Sequence, residues 1–275
     1  MRGGTPAAGL VESVIAFIER VGRRAGDYVA EWGYYAALVG ESLYWLFLGP
    51  SKRQPVRLSS TVAQMFEIGI AAIPIVFVLS FAVGIMLAIQ GIHTLKVFGA
   101  ESKIVVGVAL SVTREFGPLI TAIVVAGRTG SALAARIGTM TVSQEIDALS
   151  VMSINSVRFL VAPVLIAMMV MLPALTFMSD VSALAGAAVF SALELGMSVE
   201  AYFAETISVL SINDIGQGLI KSVVFAVIIS LVGVSNGFQV TGGAEGVGRG
   251  TTRAVVLSII YVVLADMIFT WILSR

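Results

Sequence analysis

The sequence predicts an all-α integral membrane protein: N-terminal interfacial helices, then five transmembrane helices, with a cytoplasmic helix between the second and third. Three observations lead there. Hydrophobic residues fill 57% of the chain and charged residues only 12%, against about 25% charged in a soluble domain. Mean hydropathy is +0.97. Apolar runs long enough to cross a hydrocarbon core of about 30 Å recur along the chain, and the connections between them differ in charge sign. The zero net charge gives no footprint for nucleic acid. The absence of cysteine excludes disulfides, thiolate metal sites and cysteine nucleophiles, and the single histidine, His93, cannot form a His-rich metal site. No short apolar core with a small-residue cleavage site opens the chain, so no cleaved signal peptide is expected. The expected division is an amphipathic, interfacial region at 1–60 and a transmembrane domain at 61–275.

In chain order, Leu10, Val11, Val14, Ile15, Ile18 and Val21 recur at helical spacing, with Glu12, Glu19, Arg20, Arg23 and Arg24 opposite. That is the pattern of a helix lying in the membrane interface. Trp32 to Leu48 is apolar and aromatic-rich, yet it is flanked by basic residues on both sides. Positive charge at both ends disfavours a crossing, so a second interfacial helix on the cytoplasmic side is expected.

The first span is Ile68–Gln90, kinked by Pro74. The second is Ile104–Ala126, with Arg114 ten residues in, about 15 Å deep and near the midplane. Phe159–Leu195 is interrupted by Pro163, Pro173 and Asp180, and reads either as one broken helix or as two spans. The loop from Met197 to Gln217 carries Glu200, Glu205 and Asp214 but no Lys or Arg, and so reads as non-cytoplasmic. The Arg128–Arg158 region and the Gln239–Arg253 loop carry arginines and read as cytoplasmic. With Gly218–Phe238 and Ala254–Leu273, five spans satisfy every loop. A sixth would put the acidic loop inside and Arg249 and Arg253 outside.

A run from Arg114 to Leu149 organises the rest. Arg114 and Glu115 stand inside an apolar span, where one charge at a helix centre costs about 2.5–3.5 kcal/mol, so neither should face lipid. Adjacent helical residues diverge by about 100°, so each should find a partner elsewhere. The pair is either a structural ion pair or a polar point in a substrate cavity. Asp266, about twelve residues into the last span, is a candidate partner, equally able to cap a neighbouring backbone. Lys221, near the start of its span, reads as a snorkelling lysine. Gly130, Ala134 and Gly138, four residues apart, read as close helix packing. Gly243 to Gly250 approaches a phosphate-cradling loop, but Arg249 and Gly250 replace its lysine and hydroxyl; it reads as a flexible loop, not a nucleotide site. Gln144, Glu145 and Asp147 fall on a short polar helix between two spans, a docking element for a soluble partner.

Arg-Glu-Phe-Gly-Pro-Leu at 114–119, Ala-Gly-Arg-Thr-Gly-Ser-Ala-Leu at 126–133, Ile-Gly-Thr-Met at 137–140 and Glu-Ile-Asp-Ala-Leu at 145–149 resemble the MlaE/YrbE permeases. Ile-Lys-Ser-Val-Val-Phe-Ala at 220–226 and Thr-Thr-Arg-Ala-Val-Val at 251–256 fit the same pattern, and the resemblance covers nearly everything from Gly84 onward. It implies a permease subunit of an ABC transporter that moves phospholipids between inner and outer membranes. It further implies a homodimer in the bacterial inner membrane, with two cytoplasmic ABC ATPases that hold the ATP and Mg, so that this chain carries no cofactor. A STAS-domain protein and a hexameric periplasmic MCE-domain protein are the other implied partners. By motif, Met86, Ile89, Gln90, Arg114, Glu115 and Lys221 map onto positions lining or bordering the lipid cavity. Thr141, Gln144, Glu145, Asp147 and Leu149 map onto the coupling helix received by the ATPase. Five spans with a cytoplasmic N-terminus and periplasmic C-terminus agree with the charge count. The reading of another class is a self-contained secondary transporter or ion channel, with Arg114, Glu115 and Asp266 as its path.

Overall fold

The computed structural model describes residues 58–100 and 103–273, the stretch 33–42 with residues 44 and 45, and the single positions 19, 22, 26 and 30. Among these residues the fold is all-helical, with no strand. Helices α1 (Leu58–Lys96), α2 (Ile104–Val142), α4 (Val157–Leu195), α6 (Ile212–Phe238) and α7 (Gly243–Leu273) are each long and apolar enough to cross a membrane. Two short helices join them: α3 (Glu145–Val151) between α2 and α4, and α5 (Val199–Val209) between α4 and α6. The five predicted spans are therefore present, but most are longer than hydropathy indicated. α1, α2 and α4 each run 39 residues, about 58 Å at 1.5 Å per residue and nearly twice the hydrocarbon thickness.

Of the expected helix around Leu10–Val21 only Glu19 is among the described residues, and it is helical. The one predicted from Trp32 to Leu48 is described in part: residues 33–42 are helical. This segment packs on the bundle. Tyr35 and Leu38 are buried, the Tyr35 ring meets Tyr261 edge-on at 6.5 Å, and Glu41 Oε1 accepts a 2.7 Å hydrogen bond from Asn155 Nδ2 just before α4.

Phe159–Leu195 is one continuous helix, not a hairpin. Pro163 follows a π turn at Val157–Val161, where the regular i−4 hydrogen-bond ladder is already interrupted. Pro173 is interior, as transmembrane helices tolerate when neighbours re-satisfy the freed backbone. In α1, a 3-10 turn at Ile70–Ala72 ends one residue short of Pro74, which occupies the first turn of the α-helix that follows from Ile73. Two π-helical turns interrupt α2, at Val112–Phe116 and Ala126–Gly130.

α1 and α4 pack along a seam of small residues. A side chain at Gly84 would land on the Ala183 carbonyl, and one at Gly186 on the Phe81 carbonyl. The seam is stitched by Ser80 and Ser179, hydroxyl to hydroxyl at 2.7 Å, and by Ser182 donating to the Phe77 carbonyl at 2.8 Å. Gly130, Ala134 and Gly138 do what their spacing predicts, letting α2 approach Ile229, Gly237 and Val240 closely.

The glycine-rich stretch from Gly243 to Gly250 is not a loop: it forms the first turns of α7. Glycine alone argues against helix there. Packing overrides it, because Gly246 sits against the Thr241 carbonyl and Gly250 against Val240, while Glu245 and Arg249 pair at 2.7 Å one turn apart. Being helix, this stretch offers no loop to wrap a phosphate.

Candidate functional site

The π turn at Val112–Phe116 carries Arg114 and Glu115. Such turns insert an extra residue into a helix and concentrate at functional sites. The two side chains diverge to separate partners on other helices. Arg114 reaches α6, where Asp214 Oδ1 lies 2.5 Å from its Nη2 and 2.8 Å from its Nε. Glu115 Oε2 lies 2.6 Å from Lys221 Nζ, also on α6. The same ammonium faces Asp266 Oδ1 on α7 at 3.0 Å and donates to Thr270 Oγ1 at 3.1 Å. The Thr270 hydroxyl is 3.0 Å from Glu115 Oε2 and 2.9 Å from the Asp266 carbonyl. Three helices are thus cross-linked by one buried cation and two carboxylates.

Lys221 does not snorkel. Its side chain is 2% exposed, because α6 begins at Ile212, not Gly218. That earlier start puts Lys221 about 13 Å into the helix, too deep to reach water along the stem. A buried ammonium between two carboxylates is held far more firmly than a surface pair, since removing a partner strands a charge in low dielectric.

Beside this cluster lies a cavity of about 290 Å³, lined among others by Ser111, Arg114, Glu115, Gln217, Lys221 and Thr270. Arg114 remains 46% exposed and Glu115 35% exposed. At that depth, exposed charge cannot face hydrocarbon chains.

Met86, Ile89 and Gln90 are exposed on α1 and do not line this cavity. Ile89 instead borders a small crevice between α1 and α4 with His93, Lys96 and Glu194. The two predicted groups of cavity residues stand apart. Asp214, expected in the acidic loop of Met197–Gln217, lies instead in the first turn of α6, and no sequence signal points to Thr270. A signal for Asp214 existed: Ser211 and Asp214 form a capping box opening an apolar run.

At the other end of α2, helix α3 holds Glu145 and Asp147 in its first turn, both exposed. Gln144, just before it, adopts a left-handed conformation with φ 60°. Leu149 turns inward and is buried. Thr141 bonds the Ile137 carbonyl at 2.9 Å and the Gly237 carbonyl at 3.1 Å, tying the end of α2 to α6. The five predicted residues thus sort into an exposed acidic face and two inward anchors.

Comparison with known proteins identifies the family. The family model described as Permease MlaE matches residues 61–272. A probable ABC transporter permease protein of Rickettsia typhi is 35% identical over 243 residues, covering 88% of this chain and 94% of the relative. The intermembrane phospholipid transport system permease protein MlaE of Haemophilus influenzae is 30% identical over 266 residues, 94% of this chain and 98% of that protein. The chloroplastic protein trigalactosyldiacylglycerol 1 of Arabidopsis thaliana is 37% identical over 211 residues, 77% of this chain and 60% of its own. With five membrane-spanning helices and a match across most of its length, the chain is a multi-pass membrane protein that belongs to the MlaE permease family of ABC transporter permeases.

Proposed function

We propose that this chain is the membrane subunit of a transporter that moves phospholipids between the inner and outer membranes, driven by ATP hydrolysis on separate ATPase subunits. The observation that carries this reading is the charged cavity beside Glu115 and Lys221, set into an otherwise apolar bundle. A phospholipid needs apolar walls for its chains and sparse polar groups for its head. The half-exposed Arg114 and Glu115 also need cover, and a second copy of the chain supplies it. Such a homodimer would complete the chamber, with Met86, Ile89 and Gln90 contributed to its walls alongside Arg114, Glu115 and Lys221.

In this reading the exposed face of α3, bearing Gln144, Glu145 and Asp147, docks on the ATPase, while Thr141 and Leu149 seat it on the bundle. ATP and Mg are held by the ATPase and none by this chain. ATP-driven movement of α3 reaches the cavity through α2, one continuous helix from Val142 back to Glu115. A periplasmic hexamer of MCE-domain subunits would receive or deliver the lipid, with a STAS-domain protein as a further cytoplasmic partner. The N-terminus would be cytoplasmic and the C-terminus periplasmic, in the bacterial inner membrane.

The test is reconstitution of the chain with its co-purifying subunits in proteoliposomes, following ATP-dependent transfer of labelled phospholipid. Lysine at both Glu145 and Asp147 should reduce transfer by at least tenfold. Full transfer with normal ATPase co-purification would overturn the docking role. Ion flux through liposomes holding this chain alone would favour a self-contained transporter instead.

A further inference from the structure

A second cavity, of about 260 Å³, lies at the opposite end of the bundle, where α1, α2 and α4 meet. It is lined by Gln64, Glu67, Arg128, Thr129 and Arg136, with Ile68, Leu133 and Val164 as apolar wall. Arg128 and Thr129 lie in the second π turn of α2, Ala126–Gly130, just past its apolar run. The arginine-rich connections put this end on the cytoplasmic side. The cavity therefore sits where lipid headgroups of the inner leaflet meet the protein, and it shares none of the residues named around Glu115 and Lys221.

Its electrostatics are unbalanced. Arg128 pairs with no carboxylate among the described residues; its hydrogen bond goes to the Glu67 backbone carbonyl at 3.3 Å. Arg136 Nη1 stands 3.8 Å from Glu67 Oε2, a loose pair whose acid is 63% exposed. The side-chain oxygen of Gln64, in the amide orientation its neighbours require, accepts from Arg136 Nη1 and Nη2 at 2.8 and 3.2 Å. Two guanidinium groups thus face a single solvated carboxylate. Thr129 borders the cavity and is only 9% exposed; its hydroxyl is sealed from solvent in this rotamer and has no hydrogen-bond partner. A buried hydroxyl without a partner carries a desolvation cost, which a ligand oxygen would offset once the side chain turns toward the cavity.

We propose that this cavity binds the phosphate group of an anionic phospholipid from the cytoplasmic leaflet, with Arg128 and Arg136 as cationic donors and Thr129 as the neutral one. Guanidinium suits phosphate because its planar fork donates two hydrogen bonds in parallel. The volume falls just short of the roughly 300–1,000 Å³ of pockets that enclose whole small ligands. It fits a headgroup whose chains stay in the bilayer, and the apolar wall of Ile68, Leu133 and Val164 favours a lipid phosphate over the free ion. The site stands independently of which cargo the central cavity carries.

Native mass spectrometry of the full chain tests this, in micelles containing dioleoylphosphatidylglycerol, diacylglycerol with the same chains, or inorganic phosphate. The wild type should retain phosphatidylglycerol and not diacylglycerol. Arg128→Gln should weaken retention about tenfold, the loss of one charge-assisted hydrogen bond. Arg128→Lys should retain more lipid than Arg128→Gln. Thr129→Val, nearly isosteric and uncharged like the original, should weaken retention severalfold with an unchanged melting temperature; together with Arg128→Lys it decides the matter should Arg128→Gln fail to fold. Glu115→Gln, in the cavity assigned to the cargo, separates lipid held there from lipid held by Arg128 and Arg136. Equal retention by wild type and both Arg128→Gln and Thr129→Val would overturn the proposal, as would equal binding of diacylglycerol. Loss in Glu115→Gln alone would place the lipid in the central cavity, and displacement by millimolar inorganic phosphate would make the ligand a free anion; either overturns the site as a lipid site.

Discussion

Asp214 closes its own helix with one carboxylate oxygen and holds Arg114 with the other. Its Oδ2 accepts from the Ser211 backbone N–H at 2.9 Å and from the Ser211 hydroxyl at 2.7 Å. Its Oδ1 accepts from Arg114 Nε at 2.8 Å. The start of α6 and the charged turn of α2 are therefore fixed by the same side chain, and the two halves of that arrangement separate by mutation. Asp214→Ala removes one half of the capping box, worth up to about 1 kcal/mol, and strands Arg114 as well. Arg114→Ala removes one charge and leaves the cap intact. Thermal unfolding in detergent should show Asp214→Ala the more damaging by about 1–2 kcal/mol. Equal effects would mean the cap contributes nothing.

Lys221 is the second point of leverage. Replacing it with methionine leaves Glu115 and Asp266 facing each other, two carboxylates with no cation between them. Breaking a buried pair this way costs about 3–5 kcal/mol. Glu115→Gln should cost much less, because the ammonium keeps Asp266 at 3.0 Å and Glu115 is itself one-third exposed. The check is a melting curve for each variant, with Glu115→Gln/Lys221→Met/Asp266→Asn as control. The triple variant, uncharged throughout, should recover part of the loss seen with Lys221→Met alone.

These networks show what a sequence can and cannot carry. The five spans were legible because apolar run length and arginine placement are local properties. So was the divergence of Arg114 and Glu115, which follows from helical geometry alone. Their partners were not legible, since Asp214 and Thr270 lie 100 and 155 residues away from them in sequence and only folding brings them close. The Lys221 reading failed because hydropathy marks where a helix is apolar, not where it starts. The helical stretch at Gly243–Gly250 failed for a different reason: its glycines are used for close approach to Thr241 and Val240, and packing of that kind leaves no periodic trace.

Glycines in the spans should divide sharply by surroundings. At Gly84 an added methyl meets the Ala183 backbone carbonyl, an obstacle that cannot rotate away. Gly84→Ala should therefore destabilise by about 1–3 kcal/mol as α1 and α4 are forced apart. Gly107, on α2, has open space around it. Gly107→Ala should be neutral or stabilising by up to about 1 kcal/mol, through helix propensity. Comparing the two melting temperatures isolates the seam, and equal behaviour would show that α1 and α4 do not depend on close approach.

The short helix α3 is bounded by two left-handed residues that are not glycine, Gln144 at φ 60° and Ser153 at φ 58°. For a residue with a Cβ this conformation costs roughly 1–2 kcal/mol, and more when the side chain is β-branched. The surrounding contacts must enforce it, chiefly the buried Leu149 and the Thr141 bond to Gly237. Gln144→Gly removes the steric cost and should leave α3 at least as well formed, although glycine gives back part of the gain as chain entropy. Gln144→Val cannot sit comfortably at that angle, so it should shift the turn and loosen the first turn of α3. Hydrogen exchange of the amides from Glu145 to Val151 reads this directly. The valine variant should exchange severalfold faster there than the wild type, with the amides of α6 unchanged. If instead valine protects those amides as well as glutamine does, the turn is not under strain and α3 is held by its buried face alone.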